Sequence, residues 1–286
     1  GMIQKNSFDR KNIRLNVDHK LNKWVSLGAN FSYINSLGKA PNTGSLAGSA
    51  FSTAGAGRLA FVLPPNLAPY NNDGTYNING AAIGSLGQPV GNYGYYNPVP
   101  IFELNKFSTE TDRILATLSA TITPFKGLSL KTVYGIDNLS VEDNVFQTGL
   151  TGDSYASNGY AYNRFYRPTR WTWTNTANYT TTIADKFNVG LLFGSEQQYT
   201  KSVSWNASKT DYNDPFFEVY QGAWVTAGMG GGARSENFFQ SLFGRVNFDF
   251  NKKYYFELSV RRDGFSGLAE GNKFGTFGGA SLMWNI

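Results

Sequence analysis

The chain has no cysteine and one histidine, His19. The first absence removes disulfides, thiolate nucleophiles and cysteine-based metal sites. The second leaves a zinc cluster or a Ser-His-Asp arrangement dependent on a single imidazole, and His19 reads instead as a structural residue on a strand near a turn. Charge is scarce as well: Asp, Glu, Lys and Arg make up 16% of 286 residues, below the usual quarter. No apolar run approaches the roughly 18–20 residues that a membrane helix needs. The net charge of +5 comes from scattered Lys and Arg without a basic block, so no nucleic-acid partner is expected. A hydrolase would need a convergent acid/base site, which one histidine makes a poor fit, so the chain is expected not to be an enzyme and to carry no cofactor.

Aromatic residues and glycine are abundant, at 16% and 32 residues. The mean hydropathy of −0.33 looks soluble, but period-2 strands conceal an apolar face from any average. The alternation is plain over 8–20, where Ile13, Leu15 and Val17 oppose Arg14, Asn16 and Asp18. It recurs over 24–36, 109–123, 128–146, 164–182, 187–205, 235–250, 254–263 and 274–286. In each case apolar residues oppose Thr, Ser, Asn, Gly or an isolated charge. A β-sandwich would bury an apolar interior. An apolar exterior around a small-polar lumen suits a wide membrane barrel better.

The connections alternate in length. Short turns fall at Leu21-Asn22-Lys23, Pro124-Phe125-Lys126-Gly127, Ile183-Ala184-Asp185-Lys186 and Asn251-Lys252-Lys253. Long loops are expected at 37–108, 147–163, 206–234 and 264–273. Short turns at one end and long loops at the other are the habit of an outer-membrane barrel. Trp24, Phe125, Phe187, Tyr254 and Tyr255 sit at or beside the turns, where an aromatic girdle belongs. The expected fold is therefore all-β: an antiparallel up-and-down meander of about 9–10 long strands, a partial transmembrane-type barrel forming a single domain over 1–286. An odd count with open first and last strands cannot sit bare in lipid. Either a strand is hidden within 37–108, or the chain self-associates through its edges, or it is part of a larger barrel. Gly1 ahead of Met2 reads as a residue added before a start methionine, and the opening residues carry no secretory leader pattern.

One stretch is more specific. Leu242-Phe243-Gly244-Arg245-Val246-Asn247-Phe248-Asp249-Phe250-Asn251-Lys252-Lys253-Tyr254-Tyr255, followed by Arg261-Arg262-Asp263-Gly264-Phe265-Ser266, resembles a signature of the SusC/RagA family. These are TonB-dependent outer-membrane transporters of the Bacteroidetes. The family pattern is a strand, a Lys-Tyr hairpin, a second strand and then Arg-x-Asp-Gly-Ser-Ser; here Phe265 replaces the first Ser. Pro64-Pro65-Asn66-Leu67-Ala68-Pro69-Tyr70-Asn71-Asn72-Asp73-Gly74-Thr75-Tyr76 is similar to a family loop. Asn12 to Val17 with Trp24 to Asn30 resembles the hairpin that precedes it. The resemblance covers the middle of a barrel, with no counterpart to the plug or the remaining strands. It implies an importer of glycans, or of peptides, in the outer membrane. It also implies a SusD-like surface lipoprotein and the TonB complex as partners, besides lipid. The alternative is a surface-exposed binding or adhesion module from a truncated transporter gene, without transport of its own.

Candidate contacts lie in the loops. Tyr93, Tyr95 and Tyr96, then Tyr155, Tyr160 and Tyr162, then Tyr212, Phe216, Tyr220 and Trp224 accompany Asn and Asp; rings stack on sugar faces while the polar groups bond hydroxyls. Of these, Tyr93, Tyr95, Tyr96, Tyr155, Tyr160 and Trp224 are the substrate-binding candidates, weighed against simple loop packing. Arg262-Asp263-Gly264 reads as the family's structural motif at a strand end. Asp211, Asn213 and Asp214 are a weak calcium candidate, while Asn71-Asn72-Asp73-Gly74 reads as a tight turn because Pro69 and Gly80 stand where calcium ligands belong. Gly55 to Ala60 spells a dinucleotide pattern without the strand and helix it needs. Gly228 to Gly232 reads as a mobile loop tip.

Overall fold

In the computed structural model, residues 5–40, 63–79, 83–85, 88–89, 96–228 and 230–285 are described below. In chain order the elements are β1 (Ser7–Lys20), β2 (Val25–Lys39), β3 (Gly84–Ser85), β4 (Gln88–Pro89), helix α1 (Pro98–Leu104), β5 (Lys106–Ile122), β6 (Leu128–Gln147), β7 (Tyr160–Ile183), β8 (Phe187–Tyr212), β9 (Trp224–Ala227), β10 (Gly231–Phe250), β11 (Tyr254–Phe265) and β12 (Phe274–Trp284). Nine long strands pair in sequence order, β1-β2-β5-β6-β7-β8-β10-β11-β12, and β9 adds to β8 to make ten in one antiparallel sheet. The sheet is open among the described residues: β1 and β12 each have one paired neighbour. The meander and the strand count match the expectation from alternation.

Local chemistry accounts for the tight turns. Asn251 and Lys252 both have φ near +54° (53° and 55°), as do Ala184 and Asp185 at 50° and 53°. Positive φ at two successive residues is the mirror-image turn whose twist matches the flanking strands. At the first hairpin the Asn22 carboxamide oxygen accepts from the Trp24 and Val25 amides at 2.8 and 2.9 Å, closing the turn with a side chain.

At the other end the strands outrun the alternation. The long connections are 40–105, 148–159, 213–230 and 266–273, shorter than expected in every case. β7 and β8 reach 24 and 26 residues. Tyr160 and Tyr162 are therefore strand residues. Gly231 and Gly232, expected in a mobile tip, pair with Asn206 and Trp205. Main-chain pairing continues there although both faces have become polar or aromatic, so a hydrophobic period cannot mark the boundary.

Register fixes the faces. One row reads Ala177, Phe193, Gly244, Val260 and Gly278 across five neighbouring strands; the next toward the tight turns reads Tyr179, Leu191, Val246, Leu258 and Ala280. These side chains are on the apolar face, which Leu118 of β5 shares through Tyr134 and Trp173, and exposure is high there, with Phe193 at 62% and Leu118 at 60%. Phe125, Phe187 and Tyr254 join the turn-end ring row as expected, with Phe125 against Tyr179 and Tyr254 stacked on Trp284 at 6.4 Å. Tyr255 does not: it pairs with Asp249 and Met283 on the opposite face, and its hydroxyl donates to the Lys252 carbonyl at 3.0 Å. Consecutive strand residues cannot share a face.

The core is not under the sheet. Among the described residues the buried apolar side chains are Ile83, Ile101, Phe146 and Ala161; the last three flank the connections at the long-loop end. The strands form a wall, and the buried apolar side chains of the described residues gather at its long-loop end.

Candidate functional site

Within the described part of the β2–β5 connection, the Tyr70 to Tyr76 segment makes a turn. The Asn71 amide donates to the Thr75 carbonyl at 2.7 Å, and Asp73 accepts from the amide and hydroxyl of Thr75 at 2.9 and 2.6 Å. Those bonds hold the Asp73 carboxyl below its ordinary range. The tight turn expected here is formed, with Gly74 at φ +83°. Its flanking Tyr70 and Tyr76 stack at 5.7 Å and both donate to Glu103 of α1, at 3.0 and 2.6 Å. Glu103 is thereby lowered, and Tyr76 is pushed up to about 12, because each proton is held in a bond to a carboxylate. Asn97 caps α1 by accepting from the Val99 amide and donates to the Pro69 carbonyl at 2.7 Å, tying the helix to the same turn.

The second loop, 148–159, is joined to both neighbours. The Thr148 amide donates to the Asn105 side chain at 2.8 Å, and the Gly149 amide to the Tyr212 hydroxyl at 3.0 Å. Asp211 takes φ +62°, and the Asp211 and Tyr212 amides donate to Ser157 and Asn158 carbonyls. Phe146, Tyr212 and Trp224 then meet as three rings, with centroids 5.7–6.3 Å apart. The Trp224 indole donates to the Val219 carbonyl at 2.9 Å. Lys106 and Glu218 form an ion pair that brings the third loop to the base of β5.

The sequence candidates fall out as follows. Tyr93 and Tyr95 lie outside the described residues, as does the Gly55 to Ala60 segment. Tyr96 is half-buried just before α1, its phenol pushed up by burial and by the charge of Asp153 in the second loop. Tyr155 is exposed in a turn of that loop. Tyr160 stacks on Tyr162 at 6.3 Å in β7, and Trp224 sits in the three-ring cluster. All four described candidates share the long-loop end, although the rings do not form one platform. Asp211 accepts from the Asn158 carboxamide at 2.8 Å, and Asp214 caps the Phe216 amide at 2.9 Å. No group of three His, Cys, Asp or Glu that could hold a metal ion occurs among the described residues. His19 faces Leu27 on β1 beside the tight turns.

The polar face carries a second set of groups. Arg113 grips Asp137 with two bonds at 2.8 and 2.7 Å. Arg261 bonds Asp263 at 2.7 Å and the Ser241 hydroxyl at 2.8 Å, with Glu196 at 3.7 Å. In the Arg-Arg-Asp-Gly motif it is thus Arg261 that pairs with Asp263, while Arg262 is on the apolar face, its guanidinium 5.2 Å over the Phe274 ring. Gly264 is buried against that ring. Strand parity alone would have separated the two arginines. Glu103 was the other omission, and no local pattern marks it: its partners lie 27 and 33 residues away.

The long-loop interior, the polar face and the open meander can be set beside known proteins. No family model matches the chain. TonB-dependent receptor P3 of Formosa agariphila is 25% identical over 292 residues and is aligned to the whole chain. The chain is thus similar to a part of the TonB-dependent receptors. TonB-dependent receptor P39 of the same organism is also 25% identical, over 293 residues. The chain spans only 28% and 26% of the lengths of these two receptors. Among solved structures, the RagAB peptide transporter superposes with a TM-score of 0.77 at 24% identity, over 98% of this chain and 30% of that one. The RagAB peptide importer in its open-open state gives 0.78 over the same shares. The fold is accordingly similar to that of a part of the RagAB transporter.

Proposed function

We propose that the chain forms part of the wall and the outward loops of a TonB-dependent importer in the outer membrane, which takes up oligosaccharides or peptides. The observation that carries this reading is the division of the sheet: an exposed apolar face, an opposite face with Arg113-Asp137 and Arg261-Asp263-Glu196, and buried apolar side chains that, among the described residues, gather at the long-loop end. A wall between lipid and a polar lumen needs all three. The names of the Formosa receptors and the RagAB structures support the class. The stacked Tyr160 and Tyr162, with Tyr96, Tyr155 and Trp224 at the same end, are read as substrate contacts. A SusD-like surface lipoprotein and the TonB complex are the proposed partners. The chain is read as having no catalytic activity.

The test is deletion of the gene, followed by growth on single polysaccharides and on peptides as the sole nutrient. Loss of growth on one class, restored by the intact gene and weakened by Tyr160→Ala with Tyr162→Ala, is the expected result. Unimpaired growth on all of them refutes import. A monodisperse, β-rich chain on gel filtration without detergent would favour a soluble binding module instead.

A further inference from the structure

On the apolar face, a row that is polar except at Leu242 lies directly beyond the apolar rows. In register it reads Asn175, Ser195, Leu242, Arg262 and Thr276, and the next row outward contains Gln197 opposite Gln240. Arg262 is exposed and has no ion-pair partner among the described residues; only the Phe274 ring lies against its guanidinium. An arginine on the lipid side of a barrel costs several kcal/mol at mid-depth and little at the interface. Arg262 is eight residues from Tyr254 of the turn-end ring row, about 26 Å along the strand and about 20 Å along a membrane normal for a tilt of about 40°. With an apolar band about 25 Å tall, the guanidinium sits at the outer edge. Just beyond lies Trp171, packed on Tyr199 at 6.1 Å and on Phe238 at 6.3 Å, which suits a second girdle.

Below Arg262 the face is grooved, not flat. Small residues Ala177 and Gly244 alternate with Phe193, Leu191, Val246 and Val260 to line a trough of about 380 Å³. The trough begins two residues from Arg262 along β11 and runs toward the tight turns. An unpaired cation with carboxamides above an apolar trough matches one kind of molecule: a negatively charged headgroup on an acyl chain.

We propose that this face holds an anionic, phosphate-bearing lipid, with its phosphate at Arg262 and Gln240 and one acyl chain along the Ala177–Gly244 trough. The proposal rests on the reading of the sheet as a membrane wall. Phosphate accepts from the guanidinium and the Gln240 amide, which removes the cost of leaving that charge unpaired beside hydrocarbon. The glycine at 244 leaves room for the chain: a Cβ there meets nothing closer than the Leu192 carbonyl oxygen at 3.6 Å.

The experiment uses the protein purified from membranes and reconstituted into phosphatidylcholine vesicles, with brominated phosphatidylglycerol or brominated phosphatidylcholine as quencher of Trp171 and Trp173. Phosphatidylglycerol is expected to quench more efficiently than phosphatidylcholine. Arg262→Gln is expected to lower that preference about fivefold, the effect of one cation near a charged lipid surface, and Arg262→Lys to keep most of it. Gly244→Leu, which fills the trough on an exposed face, is expected to weaken quenching by both lipids. Equal quenching by the two lipids in the parent protein, or an Arg262→Gln variant with unchanged preference, overturns the lipid site. So does a change of oligomeric state in Arg262→Gln without a change in lipid preference, because another protein then covers the face. Absence of quenching by either lipid fails the membrane reading itself and is distinguishable from those outcomes.

Discussion

Replacing Gly159 with alanine is expected to unseat the three-ring cluster while leaving the sheet intact. Gly159 ends the second loop at φ +93°, in a region that L side chains rarely adopt. The backbone strain of a Cβ there is about 1–2 kcal/mol. The new atom also overlaps the Tyr212 ring at two carbons, so the ring must move. Moving it breaks the Gly149–Tyr212 bond, about 1 kcal/mol, and disturbs two ring pairs at about 0.5–1.5 kcal/mol each. Part of this loss is recovered by repacking, so a local destabilisation of about 2–4 kcal/mol is expected. Hydrogen exchange read by mass spectrometry should show lost protection over 148–159 and 212–224, with β10 to β12 unchanged. Gly74→Ala supplies the control: its φ is +83° but nothing lies within 4 Å of the added carbon, so strain alone, about 1–2 kcal/mol, should appear. Tyr212→Phe, which removes only the hydroxyl, should cost about 1 kcal/mol. Equal effects of Gly159→Ala and Gly74→Ala, or unchanged exchange in 212–224, would refute the account of this cluster.

The Glu103–Tyr76–Tyr70 contact should depend on pH from both sides. The carboxyl is lowered, so its contribution is complete above the ordinary carboxylate range and lost as pH falls through the lowered value. The Tyr76 phenol is raised to about 12, so its contribution is complete below about 10 and lost as pH rises through about 12. Ultraviolet titration of tyrosinate should show one late phenol that Glu103→Gln returns toward its normal range. Arg261→Leu should lower stability in denaturant by about 1–2 kcal/mol, because bonds to Asp263 and Ser241 are lost from a partly exposed site. Leu118→Arg, on the apolar face, should cost about 2–4 kcal/mol in folding into vesicles. Thr117→Arg, one residue away on the polar face, should fold nearly as the parent does; the reverse order would invert the assignment of faces.

The strand count, the meander and the division into two faces were legible because alternation and turn chemistry are local. Ile13-Arg14-Leu15-Asn16-Val17 announces its period within five residues, and Asn251-Lys252 names its turn. The strand ends toward the long loops were not legible. Around Tyr160 to Arg164 and Trp205 to Tyr212, ring and polar residues appear on both faces, and only main-chain pairing says that the strand continues. Of the candidate site, only the placement of the rings was legible: tyrosines in Gly- and Asn-rich stretches lie at the long-loop end, whereas the meeting of Trp224 with Phe146 depends on a contact across 78 residues of chain. Arg262 was grouped with Asp263 because adjacent letters look like one motif, whereas adjacent strand residues face opposite ways.

A β sheet with one apolar and one polar face is written in the amino-acid order, because a two-residue period shows wherever side chains alternate. That order also determined which end carries the turns, since positive φ and carboxamide caps select their own residues. Which residues become neighbours across strands depends on the folded sheet: Glu103 bonded to two tyrosines, Arg261 among Asp263, Ser241 and Glu196, and Arg262 against the Phe274 ring above an apolar trough. Register makes those neighbours. It is set by the summed pairing of whole strands, which no short stretch of sequence contains.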